Sequence, residues 1–139
     1  MINTIELETA KEIIEAAEEK AEEIGVPSVI TIANSEGNLI AQHRMDDAWL
    51  ASVSISRNKA YTAAALQMPT HELEDVTKPE GPLYGLQTTD HEQIVIFGGG
   101  FPLEADGEII ATIGASGGDV DEDMEVARAG IEKFEELAG

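Results

Sequence analysis

The chain has 139 residues, 28 acidic side chains against 8 basic ones, a net charge of −20 and no cysteine. That length suits one domain able to bury about two-thirds of its unfolded surface. The missing cysteines exclude disulfides, thiolate metal sites and cysteine nucleophiles, and the charge opposes binding to nucleic acid, a polyanion held mainly by Lys and Arg.

No run of about 18 apolar residues marks a membrane span. The start, MINTIELETAKEII, lacks the basic residues and apolar stretch of a secretory signal. A cytoplasmic protein with no membrane partner is therefore expected. Hydrophobic residues make up 42% of the chain and the acids are dispersed, which argues against a disordered acidic tail. The acidity reads as a solubility device of the kind found in salt-adapted proteins.

In chain order, Asn3-Thr4-Ile5-Glu6 predicts a helix N-cap with a capping box. Ala10, Ile13, Ile14, Ala17, Ala21 and Ile24 then recur at helical spacing, and Gly25-Val26-Pro27 ends the helix. SVITIANS and NLIAQHRM read as two strands joined at Glu36-Gly37-Asn38. Asp46 or Asp47 is expected to cap a helix from about Ala48 to Gln67, and Thr70 a short helix over HELEDV. After the breaker-rich KPEGPLYGLQTTD, three strands are expected: IVIFG, PLEA and EIIATIGAS, the last two joined at Asp106-Gly107. Asp119 and Glu122 form a second capping box ahead of a helix carrying Met124, Ala127, Ile131 and Phe134 on its apolar face. The prediction is a single α+β domain over residues 1–139, with about five antiparallel strands, terminal helices and a central helix pair packed on the sheet.

The glycine-rich stretch GGGFPLEADGEIIATIGASGG does not read as a phosphate loop. It lacks the Lys of a P-loop, Pro102 removes an amide, and it continues into a hairpin rather than a helix. Its glycines fit bends and close backbone approach. Ser56-Arg57-Asn58-Lys59 matches S-x-x-K without the companion elements of that enzyme class, so Ser52 and Ser56 read as small packing residues. No catalytic residue is assigned.

No Asp or Glu occurs from Ala48 to His71, a gap that marks a surface turned away from salt water. His71 lies at its end, with Arg44, Arg57 and Lys59 supplying the few positive charges nearby, suited to the carboxylates of a small anionic ligand. Pairing of these cations with local acids or a neighbouring subunit is the structural alternative. The three histidines are too scattered for a closed zinc site. One axial ligand to a haem iron needs only one of them.

Several short motifs resemble GlcG/HbpS-like domains, the type that also forms the C-terminal part of PduO proteins. They are Asn34 to Ala41, Arg44 to Ala48, Lys59 to Ala63, Pro69-Thr70, Gly99 to Leu103, Ile113 to Gly118, and Asp123 through Ala129-Gly130. The resemblance implies a profilin-like fold and assembly with copies of itself. It also implies a haem- or tetrapyrrole-binding role, non-enzymatic in the leading reading. His71 would then be the iron ligand or a propionate neighbour, Arg44 and Lys59 would hold carboxylates, and Thr70 and Tyr84 would line the pocket. The rivals are an enzyme or accessory factor for a small hydroxy acid, aldehyde or corrinoid, and a purely structural oligomer.

Overall fold

The computed structural model describes residues 5–139. Helix α1 spans Leu7–Ile24, and Ala10, Ile13, Ile14, Ala17 and Ala21 form its buried stripe. Asn3 and Thr4 of the expected capping box lie outside the described residues. Glu6, expected as the third helical residue, is itself the N-cap, and its side chain makes no capping bond.

Strands β1 (Val29–Asn34) and β2 (Leu39–Arg44) form the first hairpin. Asn34 shapes its turn, its Oδ1 accepting from the amides of Glu36 and Asn38 at 3.0 Å each. Helix α2 (Ala51–Leu66) crosses to the second hairpin, β3 (Gly100–Ala105) and β4 (Glu108–Ser116), and α3 (Val120–Ala138) closes the fold. All pairings are antiparallel, in the order β2-β1-β4-β3.

The sheet therefore has four strands rather than about five. Residues 94–98, the expected strand IVIFG, run beside α2 instead of joining a ladder. The Val95 amide donates to Thr62 Oγ1 at 2.9 Å, so a helix side chain takes the place of a neighbouring strand. The central helix pair is also corrected: the second member is a single 3-10 turn, Thr70–Leu73. Helix α2 begins three residues later than expected and is not capped by Asp46 or Asp47. Asp47 turns the chain with a left-handed φ of 70°, and the Ser52 amide bonds to the Trp49 carbonyl at 3.0 Å.

Side chains alternate across a sheet with period two, and here the two faces differ in kind. Ile30, Ile32, Phe101, Leu103, Ala111, Ile113 and Ala115 join Ile13, Ile14, Val126 and Phe134 in one apolar core under α1 and α3. The opposite face meets α2 through hydroxyls. Thr31 Oγ1 lies 2.9 Å from Ser56 Oγ, Thr112 Oγ1 donates to the Ala60 carbonyl at 2.8 Å, and Ser116 Oγ donates to Ser52 Oγ at 3.1 Å. Each buried hydroxyl is thus satisfied, which burial requires. The interface explains why α2 carries no acids on its inner side.

The box at α3 forms as expected. Asp119 Oδ1 accepts from the Glu122 amide at 2.8 Å, and Glu122 Oε1 from the Asp119 amide at 3.0 Å. An Asp119→Ala variant should lose about 1 kcal/mol, read as a lower urea midpoint at unchanged slope.

Candidate functional site around His71 and Lys59

Two features meet where α2, the 3-10 turn, the start of β3 and the first turn of α3 converge. Lys59 is fully buried; its Nζ donates to Asp123 Oδ2 at 2.8 Å and to the Ala115 carbonyl at 2.9 Å, and stands 5.2 Å from the centre of the Phe97 ring. Asp123 is 4% exposed, and its other oxygen accepts from the amides of Gly117 and Gly118 at 2.9 Å each. Burial pushes the Lys59 ammonium below its usual range, against the attraction of Asp123. Burial likewise pushes the Asp123 carboxyl up, against Lys59 and the two amides. Each group opposes the shift that burial imposes on the other.

The glycine triplet packs against this pair. Gly99 has φ +128°, and a Cβ there would lie 2.5 Å from Lys59 Nζ, so only glycine fits both the backbone and the space. The stretch serves close approach to a buried ammonium.

On the outer side of the same segment, His71, Glu74, Asp119, Val120, Asp121 and Met124 line a cleft of about 570 Å³. His71 Nδ1 is buried with no hydrogen-bond partner among the described residues. Its ring lies 5.6 Å from Phe101, and the guanidinium of Arg128 stands 5.5 Å from the same Phe101 ring. Arg128 is exposed and makes no ion pair among the described residues. The sequence reading missed it because it sits among the acids of α3, 57 residues away from His71. Phe101, aromatic and immediately after the triplet, was the available hint.

The five expected site residues are thus dispersed. Thr70 is buried, and its Oγ1 accepts from the Gly100 amide at 3.0 Å, which ties the 3-10 turn to β3 and sets the position of His71. Lys59 holds the interior and, in this conformation, offers no surface to an outside carboxylate. Arg44 donates through Nε and Nη2 to the Ala48 carbonyl at 3.2 and 2.9 Å, which fixes the turn before α2. Tyr84 is 67% exposed on the long loop, with no described contact to His71. No group of three or more His, Asp or Glu side chains converges on a metal-sized site among the described residues.

A family model described as haem degrading protein HbpS-like matches residues 5–132. The chain belongs to this family. A 15.0 kDa protein from the dhaT-dhaS intergenic region of Citrobacter freundii is 46% identical over 98% of this chain and 96% of its own length. Among solved structures, the Klebsiella pneumoniae protein ORFY superposes with TM-score 0.94 at 38% identity, over 97% of this chain and 93% of that one. A PduOC:haem complex superposes with TM-score 0.90 at 38% identity, over 94% of each chain. The corrinoid adenosyltransferase PduO of Salmonella typhimurium is 41% identical over 86% of this chain, which spans only 36% of that longer protein. Its transferase name is that of the whole, longer protein. No described helix of this HbpS-like chain is long and apolar enough to cross a membrane.

Proposed function

We propose that this HbpS-like protein binds haem or a related tetrapyrrole and does so without acting as an enzyme. The observation that carries the reading is the buried, unpartnered Nδ1 of His71 beside an open cleft. An imidazole nitrogen left without a partner is costly to bury and is relieved by a metal or a donor. Val120 and Met124 give the cleft an apolar part beside it, as a porphyrin face requires. The likeness to the PduOC:haem complex supports the same reading.

Iron supplied by the haem would be held by His71, with Thr70 fixing the turn that presents the ring. Glu74, Asp119 and Asp121 line the cleft and would repel propionates, so Arg128, which lines the neighbouring cleft on α3, is the nearby cation suited to a haem carboxylate. Arg44 and Tyr84 stand away from this cleft, and Lys59 contributes from the interior by holding Asp123 and the Ala115 carbonyl. Self-association is part of the proposal, supported by the exposed Trp49 at 71% and Tyr84 at 67%.

Titration with hemin should give a saturable Soret shift. His71→Ala should weaken binding by about tenfold or more and change the position of the Soret band. A wild-type titration without saturation would remove the cofactor. A second reading, that the tetrapyrrole is a corrinoid, is favoured by the PduO similarity. Parallel titration with a cobalamin separates the two, since only the preferred ring should saturate at micromolar concentration.

A further inference from the structure

Four clefts are lined by acids: Glu36, Glu104 and Glu108 in one, Glu12 and its neighbours in another, Glu74 with Asp119 at His71, and Glu125 with Glu132 on α3. Another, about 550 Å³ between β2 and α2, has no acidic residue in its lining. In a chain of net charge −20, a lining without acids and with Arg57 in it sets this cleft apart from the others.

Its lining has the composition of a small-molecule site, with an apolar wall and a few convergent polar groups. Leu39, Leu50 and Val53 form the wall; Arg57, Asn58 and Gln93 supply the polar side. Neither the Arg57 guanidinium nor the Asn58 amide hydrogen-bonds to any described residue, so both are free for a ligand. Gln42 is pinned, its Nε2 donating to Thr31 Oγ1 and the Val53 carbonyl at 2.8 Å and to Ser56 Oγ at 3.2 Å. That side of the cleft is therefore preorganised. Gln93 follows three consecutive left-handed residues, Asp90, His91 and Glu92, with φ of 50°, 57° and 62°. The Tyr61 hydroxyl donates to Asp90 Oδ2 at 2.5 Å, which ties this strained segment to α2. Backbone strain of this kind costs about 1–3 kcal/mol per residue and collects at binding sites.

We propose that the cleft between β2 and α2 binds an amphipathic monocarboxylate, its carboxylate on Arg57 and its apolar body against Leu39, Leu50 and Val53. The guanidinium fork matches a carboxylate, and the wall accepts an aromatic or branched aliphatic group. The site is separate from His71 and does not depend on haem.

Hydrocinnamate is a suitable probe and the uncharged hydrocinnamamide its control, both titrated calorimetrically into the full chain at low salt. The acid should bind saturably at one site per chain and the amide should not. Arg57→Gln, on an exposed side chain without structural partners, should weaken the acid by about tenfold or more, and Arg57→Lys should recover part of the loss. Equal binding of acid and amide, an unchanged Arg57→Gln variant, or no saturation in the wild type would each overturn the proposal. Arg57→Gln should leave any hemin response intact. Loss of that response would place haem in this cleft and overturn the separate site, whereas absence of a hemin response in the wild type would sink the haem reading and leave this one standing.

Discussion

Replacing Lys59 by Met should destabilise the fold by about 3–5 kcal/mol, a large share of the roughly 5–15 kcal/mol available to a domain of this kind. Met has nearly the length of Lys, so lost volume is a minor part of the effect. The cost lies in Asp123, which is 4% exposed and would keep its two amide donors at Gly117 and Gly118 but lose the ammonium on its other oxygen. The Ala115 carbonyl would lose a donor as well. Urea unfolding monitored by circular dichroism reads the loss directly. A pH series identifies its source. Burial already raises Asp123 above the ordinary carboxylate value of 3.8, and Lys59 opposes that rise. Without Lys59 the native state holds the Asp123 proton to a higher pH than the unfolded chain does. Between 3.8 and that raised value the native state binds more protons, so its stability increases as pH falls. The deficit of Lys59→Met relative to wild type should therefore narrow on acidification. A deficit that is flat with pH would mean that misfit of the Met side chain, and not a stranded carboxylate, causes the loss.

This pair also shows why the site was only partly legible in the sequence. Lys59 stood out as a cation in an acid-free helix, but its partner was one of 28 acids, 64 residues away. Nothing local separates Asp123 from Asp121 or Glu122. His71 was singled out by its place after Pro69-Thr70, while the ring beside it, Phe101, arrives through a strand 30 residues on. Local signals fared better. The stripe of α1, the box at Asp119 and the turns at Glu36-Gly37 and Asp106-Gly107 are each written within a few residues, and all lie within a residue or two of their predicted places. IVIFG was misread because a short apolar run has the same composition whether its amides bond to a strand or, as here, to Thr62 of a helix. The expected cap on α2 failed because Trp49 and Leu50 separate Asp47 from the first helical turn. Acid-free spacing marked burial only on the inner face of α2: Trp49, Leu50, Ser54, Arg57 and Leu66 in the same stretch are exposed, and the inner face is a hydroxyl-rich contact with the sheet.

Gly114→Ala should cost about 3 kcal/mol, at the upper end for a single added methyl group in a packed interior. Gly114 sits on the α2 face of β4, and a Cβ there would come 2.1 Å from the Ser56 carbonyl oxygen and 2.7 Å from the Ala60 amide nitrogen. Both neighbours are helix backbone, which cannot rotate aside as a side chain would. Helix α2 would have to lift from the sheet. Lifting stretches the bonds that hold it there: Thr112 to Ala60, Ser52 to Ser116, Thr31 to Ser56 and Lys59 to Ala115. The effect should accordingly be localised. Amide hydrogen exchange should accelerate along Ala51–Leu66 and in β4, while α1 and the apolar core beneath it remain protected. Uniform acceleration would indicate general loosening, and a loss below about 0.5 kcal/mol would show that the helix is not seated as closely as the geometry requires. Because Lys59 and Arg57 ride on this helix, its seating couples the two clefts. A lifted α2 would disturb the support beneath the glycine segment at His71 and reposition the Arg57 side of the other cleft together, although the ligands proposed for them share no contact residue.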